Sequence, residues 1–138
     1  MKYIGLDLGT RTLGVSFSDP LGIIASSHSI IKHDDNLEFL VGEVGRLMEE
    51  NNASEVVLGL PKYMNNTIGE RAERSYEFKK LLEDNLHVTV HLEDERLSTK
   101  EATNLLIQND TSRKKRKEVI DSVAATIILQ SFLERRGR

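Results

Sequence analysis

The sequence predicts an α/β fold built on a mixed five-stranded sheet, with three antiparallel strands, then two parallel strands, and helices on both faces. Three apolar segments at the N-terminus are separated only by turn signals, which indicates an antiparallel meander. The segments that follow alternate between helical and strand periodicity, which indicates parallel α–β units. A length of 138 residues is typical of one domain, and we expect that domain to span residues 1–138.

The three N-terminal strands are predicted at residues 2–8, 13–18 and 23–31. A glycine turn over residues 9–12 joins the first two strands. The segment 19–22 joins the next two, and it carries proline at the turn position that favours this residue. These short connections predict that the three strands pair in chain order.

A helix is predicted from Asp35, which forms a capping-box pattern with Glu38. Apolar residues recur at helical spacing and define its buried face: Leu37, Leu40, Val41, Val44, Leu47 and Met48. Asn51 and Asn52 end this helix. The apolar, β-branched run at residues 55–60 then predicts a central strand, buried on both faces and parallel to the first strand.

The C-terminal half adds further α–β units. A capping-box pattern at Thr67 and Glu70 begins a second helix, and residues 87–93 form the fifth strand. A third helix is predicted after Ser98, followed by a polar, basic loop over residues 109–115. The apolar face of the last helix consists of Val119, Ile120, Val123, Ala124, Ile127, Ile128 and Phe132.

Composition limits the function classes. The chain has no cysteine, which excludes disulfides and thiolate metal sites, and its four histidines lack zinc-ligand spacing. It has no signal-peptide pattern and no apolar run near the ~18 residues of a membrane span, so we expect a cytoplasmic protein. The net charge of −3 does not favour nucleic-acid binding. The basic run Arg113, Lys114, Lys115, Arg116 and Lys117 could nevertheless contact a polyanion or simply be solvated.

Carboxylates occur at three places that the predicted topology brings toward one edge of the sheet. Asp7 lies in an apolar strand among glycines, where it could cap the turn or bind an ion. The acidic residues 93–95 end the fifth strand, where solvent, Arg96 or a cation could relieve their repulsion. Asp121 precedes two alanines that allow the last helix to approach the sheet closely. Such a set suits a pair of Mg²⁺ ions about 4 Å apart, which hydrolyse phosphodiesters.

Four segments, in the same order along the chain, resemble the YqgF (RuvX) family of the RNase H-like superfamily. Pre-16S rRNA processing and Holliday junction resolution have both been ascribed to this family. They comprise residues 5–14 (Gly-Leu-Asp-Leu-Gly-Thr-Arg-Thr-Leu-Gly), Gly59-Leu60-Pro61 with Asn65, Asp94-Glu95-Arg96-Leu97-Ser98-Thr99, and Arg116-Lys117-Glu118-Val119-Ile120-Asp121 before Ala124-Ala125. The family usually has glycine after the loop asparagine, where this chain has Asn66, and asparagine also tolerates a positive φ.

The resemblance implies an RNase H-like fold and a phosphodiester hydrolase that uses Mg²⁺ or Mn²⁺. It implies Asp7, Glu95 and Asp121 as catalytic, metal-binding carboxylates. Asp94 would point to the other sheet face if the strand continued, and which of Asp94 and Glu95 reaches the metal stays open. The residues expected to hold the nucleic acid are Arg11, Asn65, Arg96, Arg113, Lys114, Lys115, Arg116 and Lys117.

Several functions are compatible with these residues. The leading hypothesis is an endonuclease that processes the 5′ end of pre-16S rRNA on the precursor of the small ribosomal subunit. A second is a nuclease with the same chemistry that acts on branched DNA, and such resolvases act as symmetric dimers. A third is a ribosome-assembly factor that binds nucleic acid without cleaving it. A kinase-like ATP-binding domain is the least favoured, because such proteins place two domains around the nucleotide.

Overall fold

The computed structural model describes residues 1–60, 70–94 and 113–136, with side chains in the second and third ranges described from 72 and 123 onward. The strands are β1 (Tyr3–Leu8), β2 (Thr12–Ser18), β3 (Ala25–Lys32), β4 (Glu55–Leu60) and β5 (Val90–Asp94). The helices are α1 (Leu37–Asn51), α2 (Glu70–Leu86) and α3 (Arg113–Arg136). The helix predicted after Ser98 lies outside the described residues.

The strands form one five-stranded sheet in the order β3-β2-β1-β4-β5. The pairs β1–β2 and β2–β3 are antiparallel, whereas β1–β4 and β4–β5 are parallel. This confirms the predicted meander, the two parallel α–β units and the parallel pairing of β4 with β1. The carboxyl ends of β1, β4 and β5 consequently lie along one edge of the sheet.

Two apolar cores cover the two faces of the sheet. The larger core joins α1 and α2 to one face through residues such as Leu6, Leu40 and Phe78. The smaller core joins α3 to the other face through Tyr3 and Leu129, among others. The predicted buried stripe of α1 is confirmed in full, because all six of its apolar residues are buried.

The start of β3 was predicted wrongly. The strand begins at Ala25 rather than at residue 23. The Asp19 carboxylate accepts hydrogen bonds from the backbone N–H groups of Ile23 and Ile24, at 2.7 and 2.9 Å. Because both residues are thereby held in the turn, their side chains are 58% and 61% exposed instead of belonging to a strand.

The cap of α1 is also one residue later than predicted. Asn36, rather than Asp35, is the N-cap, and its side chain accepts a hydrogen bond from the N–H of Phe39. Asp35 has a φ of 61° and its carboxylate instead contacts Arg74 at 2.6 Å. At the other end, Asn52 adopts the left-handed conformation and ends the helix as predicted.

β5 and α3 have different bounds from those predicted. His87 has a φ of 55° and its N–H donates to the carbonyl of Glu83, which closes α2, so β5 starts only at Val90. α3 starts at Arg113, so the basic run lies in its first turns and not in a loop. Lysine and arginine are good helix formers, which explains why the helix extends this far. No helix in the described part of the chain is long and apolar enough to cross a membrane.

Candidate active site

Asp7 lies near the carboxyl end of β1, the central strand, and is only 8% exposed. The register sets it opposite Gly14 of β2. The β1–β4 register pairs Leu6 with Leu58, and its continuation by one residue sets Asp7 beside Gly59. Both register neighbours of Asp7 on the adjacent strands are thus glycines, which have no side chain.

α3 packs on the face of the sheet to which Asp7 belongs. A Cβ atom added to Gly5 would lie 2.8 Å from the Cβ of Leu129 and 3.0 Å from the carbonyl oxygen of Ala125. Asp7 follows Gly5 by two residues, so its side chain lies on the same face. The hydroxyl of Ser16 donates to the carbonyl of Ala125 at 2.9 Å, which fixes α3 to β2.

The close approach of α3 confirms the role predicted for its small residues, because Ala124 and Ala125 are 1% and 0% exposed. Asp121 belongs to α3 and precedes Ala125 by about one helical turn of 3.6 residues. Its side chain lies outside the described part of the structure. The backbone therefore brings the Asp121 position toward the Asp7 face of the sheet, and the ligand role of Asp121 stays a prediction.

His33 fixes the turn that follows Asp7. Its Nε2 lies 3.1 Å from the carbonyl oxygen of Gly9, and its Nδ1 accepts the N–H of Asp35 at 2.9 Å. A nitrogen next to a carbonyl must donate and one next to an N–H must accept, so these contacts select the neutral Nε2–H tautomer. His33 is 8% exposed and is therefore buried against this turn.

An ion-pair chain connects this turn to α2. Arg74 contacts the carboxylate of Asp35 at 2.6 Å and that of Glu77 at 2.8 Å, and these hydrogen bonds raise the pKa of its guanidinium. A cavity of about 40 Å³ lies where Arg74 meets Gly9 and Thr10. Such a volume accommodates only a few water molecules and excludes a nucleotide. The ion pairs of Arg74 therefore support the segment that holds the turn after Asp7.

Among the residues predicted to contact nucleic acid, Arg11 is the one whose side chain lies within the described part of the structure. Its side chain is 80% exposed and forms a long ion pair with the carboxylate of Asp34, at 3.9 Å. Asp34 is itself 98% exposed, so this pair contributes little to stability. The guanidinium of Arg11 is consequently accessible to a polyanion at the carboxyl-end edge of the sheet.

Glu93 is an acidic residue whose individual role sequence reasoning missed. It lies on β5 in register with Gly59 and is 4% exposed. Its Oε1 pairs with Arg135 of α3 at 2.8 Å, so its side chain lies on the α3 face. Burial raises the pKa of the Glu93 carboxyl, although the charge of Arg135 acts in the opposite direction. The alternation along β5, with His91 facing Phe132 of α3, was the sequence signal that could have placed Glu93 on this face.

The remaining predicted site residues are described only in part. Glu95, Asn65 and Arg96 lie outside the described residues. The basic run occupies the first turns of α3, with its side chains undescribed. β5 continues through Asp94, which alternation places on the face opposite Glu93. Within residues 1–60, 70–94 and 113–136, no three potential metal ligands come together.

The donors that are described fit a hard divalent cation. Mg²⁺ and Mn²⁺ prefer carboxylate oxygens. The α3 face carries two buried carboxylates, Asp7 and Glu93, and Glu93 Oε2 has no hydrogen-bond partner in the described structure. A buried carboxylate oxygen of this kind is a costly group unless a water or cation completes its environment.

Comparisons with known protein families agree with this architecture. The family model described as "RuvX: Holliday junction resolvase" matches residues 1–135. A protein of Lactiplantibacillus plantarum is 49% identical over 140 residues, which cover 100% of this chain and 97% of that protein. A protein of Listeria monocytogenes serotype 4b is 50% identical over 135 residues, with 97% and 98% covered. Both relatives are named "Putative pre-16S rRNA nuclease".

Solved structures show the same fold. RuvC of T. thermophilus, in complex with a Holliday junction substrate, aligns with a TM-score of 0.61 at 15% sequence identity. The alignment covers 99% of this chain and 96% of RuvC. A second structure of RuvC, from Thermus thermophilus, gives a TM-score of 0.60 at 13% identity. The mixed sheet with helices on both faces is therefore the RNase H-like arrangement expected from the sequence.

Proposed function

Because this chain belongs to the RuvX family and is a nuclease of that family, we propose that it is a metal-dependent endonuclease that processes the 5′ end of pre-16S rRNA. The names of relatives about half identical over nearly the whole chain support this substrate. The buried carboxylate of Asp7 on the central strand carries the chemical part of the proposal. A role on the small-subunit precursor would place the protein in the cytoplasm.

Asp7, Glu95 and Asp121 would hold the metal, which is Mg²⁺ or Mn²⁺. When bound, a pair of such ions activates a water molecule and stabilises the leaving oxygen of a phosphodiester. Asp7 supplies a carboxylate whose position is fixed by strand pairing on both sides. His33 holds the carbonyl of Gly9, two residues farther on, and so keeps the turn beside Asp7 in one conformation.

The substrate strand would be held by cationic and polar side chains around this edge. The exposed guanidinium of Arg11 and the basic run at the start of α3 support contacts to phosphates. We include Asn65 and Arg96 in the same role because of the family resemblance. These contacts would position the backbone without reading its sequence.

Branched DNA is the second candidate substrate. The description of the family as Holliday junction resolvases favours it, as does the fold shared with RuvC. A resolvase acts as a symmetric dimer on a symmetric junction, so a protein that is monomeric in solution would count against this alternative. Binding without cleavage, as an assembly factor, is the third candidate.

One experiment separates these functions. Wild type and Asp7→Asn are incubated with 5′-extended pre-16S RNA and with a four-way DNA junction, with and without Mg²⁺ or Mn²⁺. We expect metal-dependent cleavage of the RNA by wild type, and loss of about 10²-fold or more of this activity in Asp7→Asn, since the variant lacks a charged ligand. Asp84→Asn, at an exposed position of α2, removes one carboxylate elsewhere and should cleave like wild type.

Each outcome assigns a function. Equal cleavage by wild type and Asp7→Asn would refute the carboxylate mechanism. Cleavage of the junction alone would replace the RNA by branched DNA. RNA binding by both proteins without cleavage at any metal concentration would leave the assembly-factor function.

A further inference from the structure

Glu93 and Asp7 belong to one row of residues across the sheet. The register aligns Gly14 with Asp7 and Gly59 with Glu93, and the continued β1–β4 register joins the two pairs. Both carboxylates lie on the face that α3 covers, because Gly5 contacts α3 beside Asp7 and Arg135 contacts Glu93. The residue between them in this row, Gly59, has no side chain to separate them.

The spacing of this row is compatible with a shared cation. Neighbouring strands lie about 4.8 Å apart, so two strand steps separate the Asp7 and Glu93 backbones by roughly 10 Å. Aspartate and glutamate side chains are long enough to shorten this gap, and Gly59 places no side chain between them. Metal–oxygen bonds of about 2.1 Å on each side then bridge what remains.

Glu93 also has an unused ligand atom. Arg135 occupies Oε1, while Oε2 is buried and lacks a hydrogen-bond partner in the part of the chain that is described. A purely structural ion pair gains nothing from a buried oxygen left without a partner, because desolvation of that oxygen is uncompensated. An oxygen of this kind is explained when a cation binds to it.

We propose that Glu93 is a further metal ligand of the site that contains Asp7, with Oε2 facing the cation and Oε1 held by Arg135. This inference rests on the proposed metal-dependent function. In it, Arg135 is the counter-ion of Glu93, which balances the charge of the buried carboxylate. The ligand is a hard divalent cation, for which Mn²⁺ is the probe.

The test measures Mn²⁺ binding without substrate, by the electron paramagnetic resonance signal of free Mn²⁺ during a titration of the full chain. We expect Glu93→Gln to weaken Mn²⁺ binding about tenfold, since glutamine retains the shape but not the charge. Asp7→Asn is measured in parallel as the variant that reports on the proposed function. Glu55→Gln is the matched control, because Glu55 is a β4 carboxylate paired with His91 at 2.7 Å at the other end of the strands.

A second variant separates a ligand from a structural ion pair. Arg135→Gln keeps the Glu93 carboxylate and removes the positive charge beside it, so the proposal predicts Mn²⁺ affinity above that of wild type, and an unchanged affinity would contradict Glu93 as a ligand. If Glu93 served only in a structural ion pair with Arg135, the substitutions Arg135→Gln and Glu93→Gln would instead weaken Mn²⁺ binding to the same extent. Circular dichroism shows whether each variant is folded. If Glu93→Gln does not fold, the Mn²⁺ affinity of Arg135→Gln tests the proposal by itself.

The outcomes distinguish the two proposals. Weaker binding in both Asp7→Asn and Glu93→Gln, with Glu55→Gln unchanged, supports both. Weaker binding in Asp7→Asn alone overturns the role of Glu93 and leaves the proposed function intact. If neither Asp7→Asn nor Glu93→Gln changes the Mn²⁺ affinity, both proposals are overturned.

Discussion

Gly5 determines how closely α3 approaches the strand that carries Asp7. An added Cβ would clash with the hydroxyl of Ser16 and would also meet the Cβ of Leu129 at 2.8 Å and the carbonyl oxygen of Ala125 at 3.0 Å, so that side chain, the helix or the strand must move. We expect Gly5→Ala to lower the free energy of unfolding by about 1–3 kcal/mol, measured by urea denaturation. Because the displaced helix also carries Asp121, a proposed metal ligand, nuclease activity should fall as well.

Gly42 provides the matched control within the same chain. It lies in the interior of α1, and a Cβ added there would meet no other atom within 4 Å. Gly42→Ala should therefore raise the free energy of unfolding by about 0.5–1 kcal/mol, because alanine is the better helix former. The same sign of effect for both substitutions would contradict the close approach of α3.

Single residues also show what sequence alone could and could not predict about the site. Asp7 was identifiable because a carboxylate in an apolar strand among glycines is unusual. His33 and Glu93 were not identified, since their partners are atoms distant in sequence: the Gly9 carbonyl, and an arginine of a helix that follows much later. Contacts of this kind leave no local periodicity.

At the scale of elements, the turn between β2 and β3 depends on one carboxylate. Asp19 accepts hydrogen bonds from the N–H groups of Ile23 and Ile24. Both bonds lower the pKa of Asp19 below its ordinary value of 3.8, the bond from Ile24 having the larger effect. A lowered pKa means that the ionised group stabilises the folded state above pH 3.8. This stabilisation is lost as the pH falls through the lowered pKa.

Asp19→Asn tests this turn. Asparagine keeps an acceptor oxygen but carries no charge, so wild type should be more stable than the variant at about pH 6, and the difference should shrink toward about pH 2. The free energy of unfolding from urea denaturation at several pH values measures it. A difference that stays constant over this range would contradict a role for the charge.

The bounds of elements were predictable where burial decides them and not where side-chain capping does. The stripe of α1 follows from apolar spacing, and every predicted residue is buried. Ile23 and Ile24 have the composition of a strand, but the carboxylate of Asp19 captures their N–H groups. The start of α3 at Arg113 was missed because a run of charges is typical of loops, although lysine and arginine extend helices readily.

At the scale of the whole molecule, charge distribution outweighs net charge. The chain carries −3 overall, yet α3 begins with five consecutive basic residues. The same helix continues across β2, β1 and the Asp7 face, and ends with Arg135 against Glu93. One helix thus connects the expected phosphate-binding run with the buried carboxylates, which makes a polyanion a suitable ligand despite the negative total.

Replacement of two lysines in this run tests the electrostatic part of the function. Lys114→Gln/Lys115→Gln should weaken binding to single-stranded RNA and reduce the slope of log K against log salt by about 1.4, that is, about 0.7 for each phosphate that the variant no longer neutralises. Lys79→Gln/Lys80→Gln removes the same charge from two adjacent lysines of α2, on the opposite side of the sheet, and is the control. Fluorescence anisotropy at several salt concentrations measures both slopes. Equal slopes in wild type and both variants would assign the basic run to solvated surface, because a protein that neutralises fewer phosphates must release fewer counterions on binding.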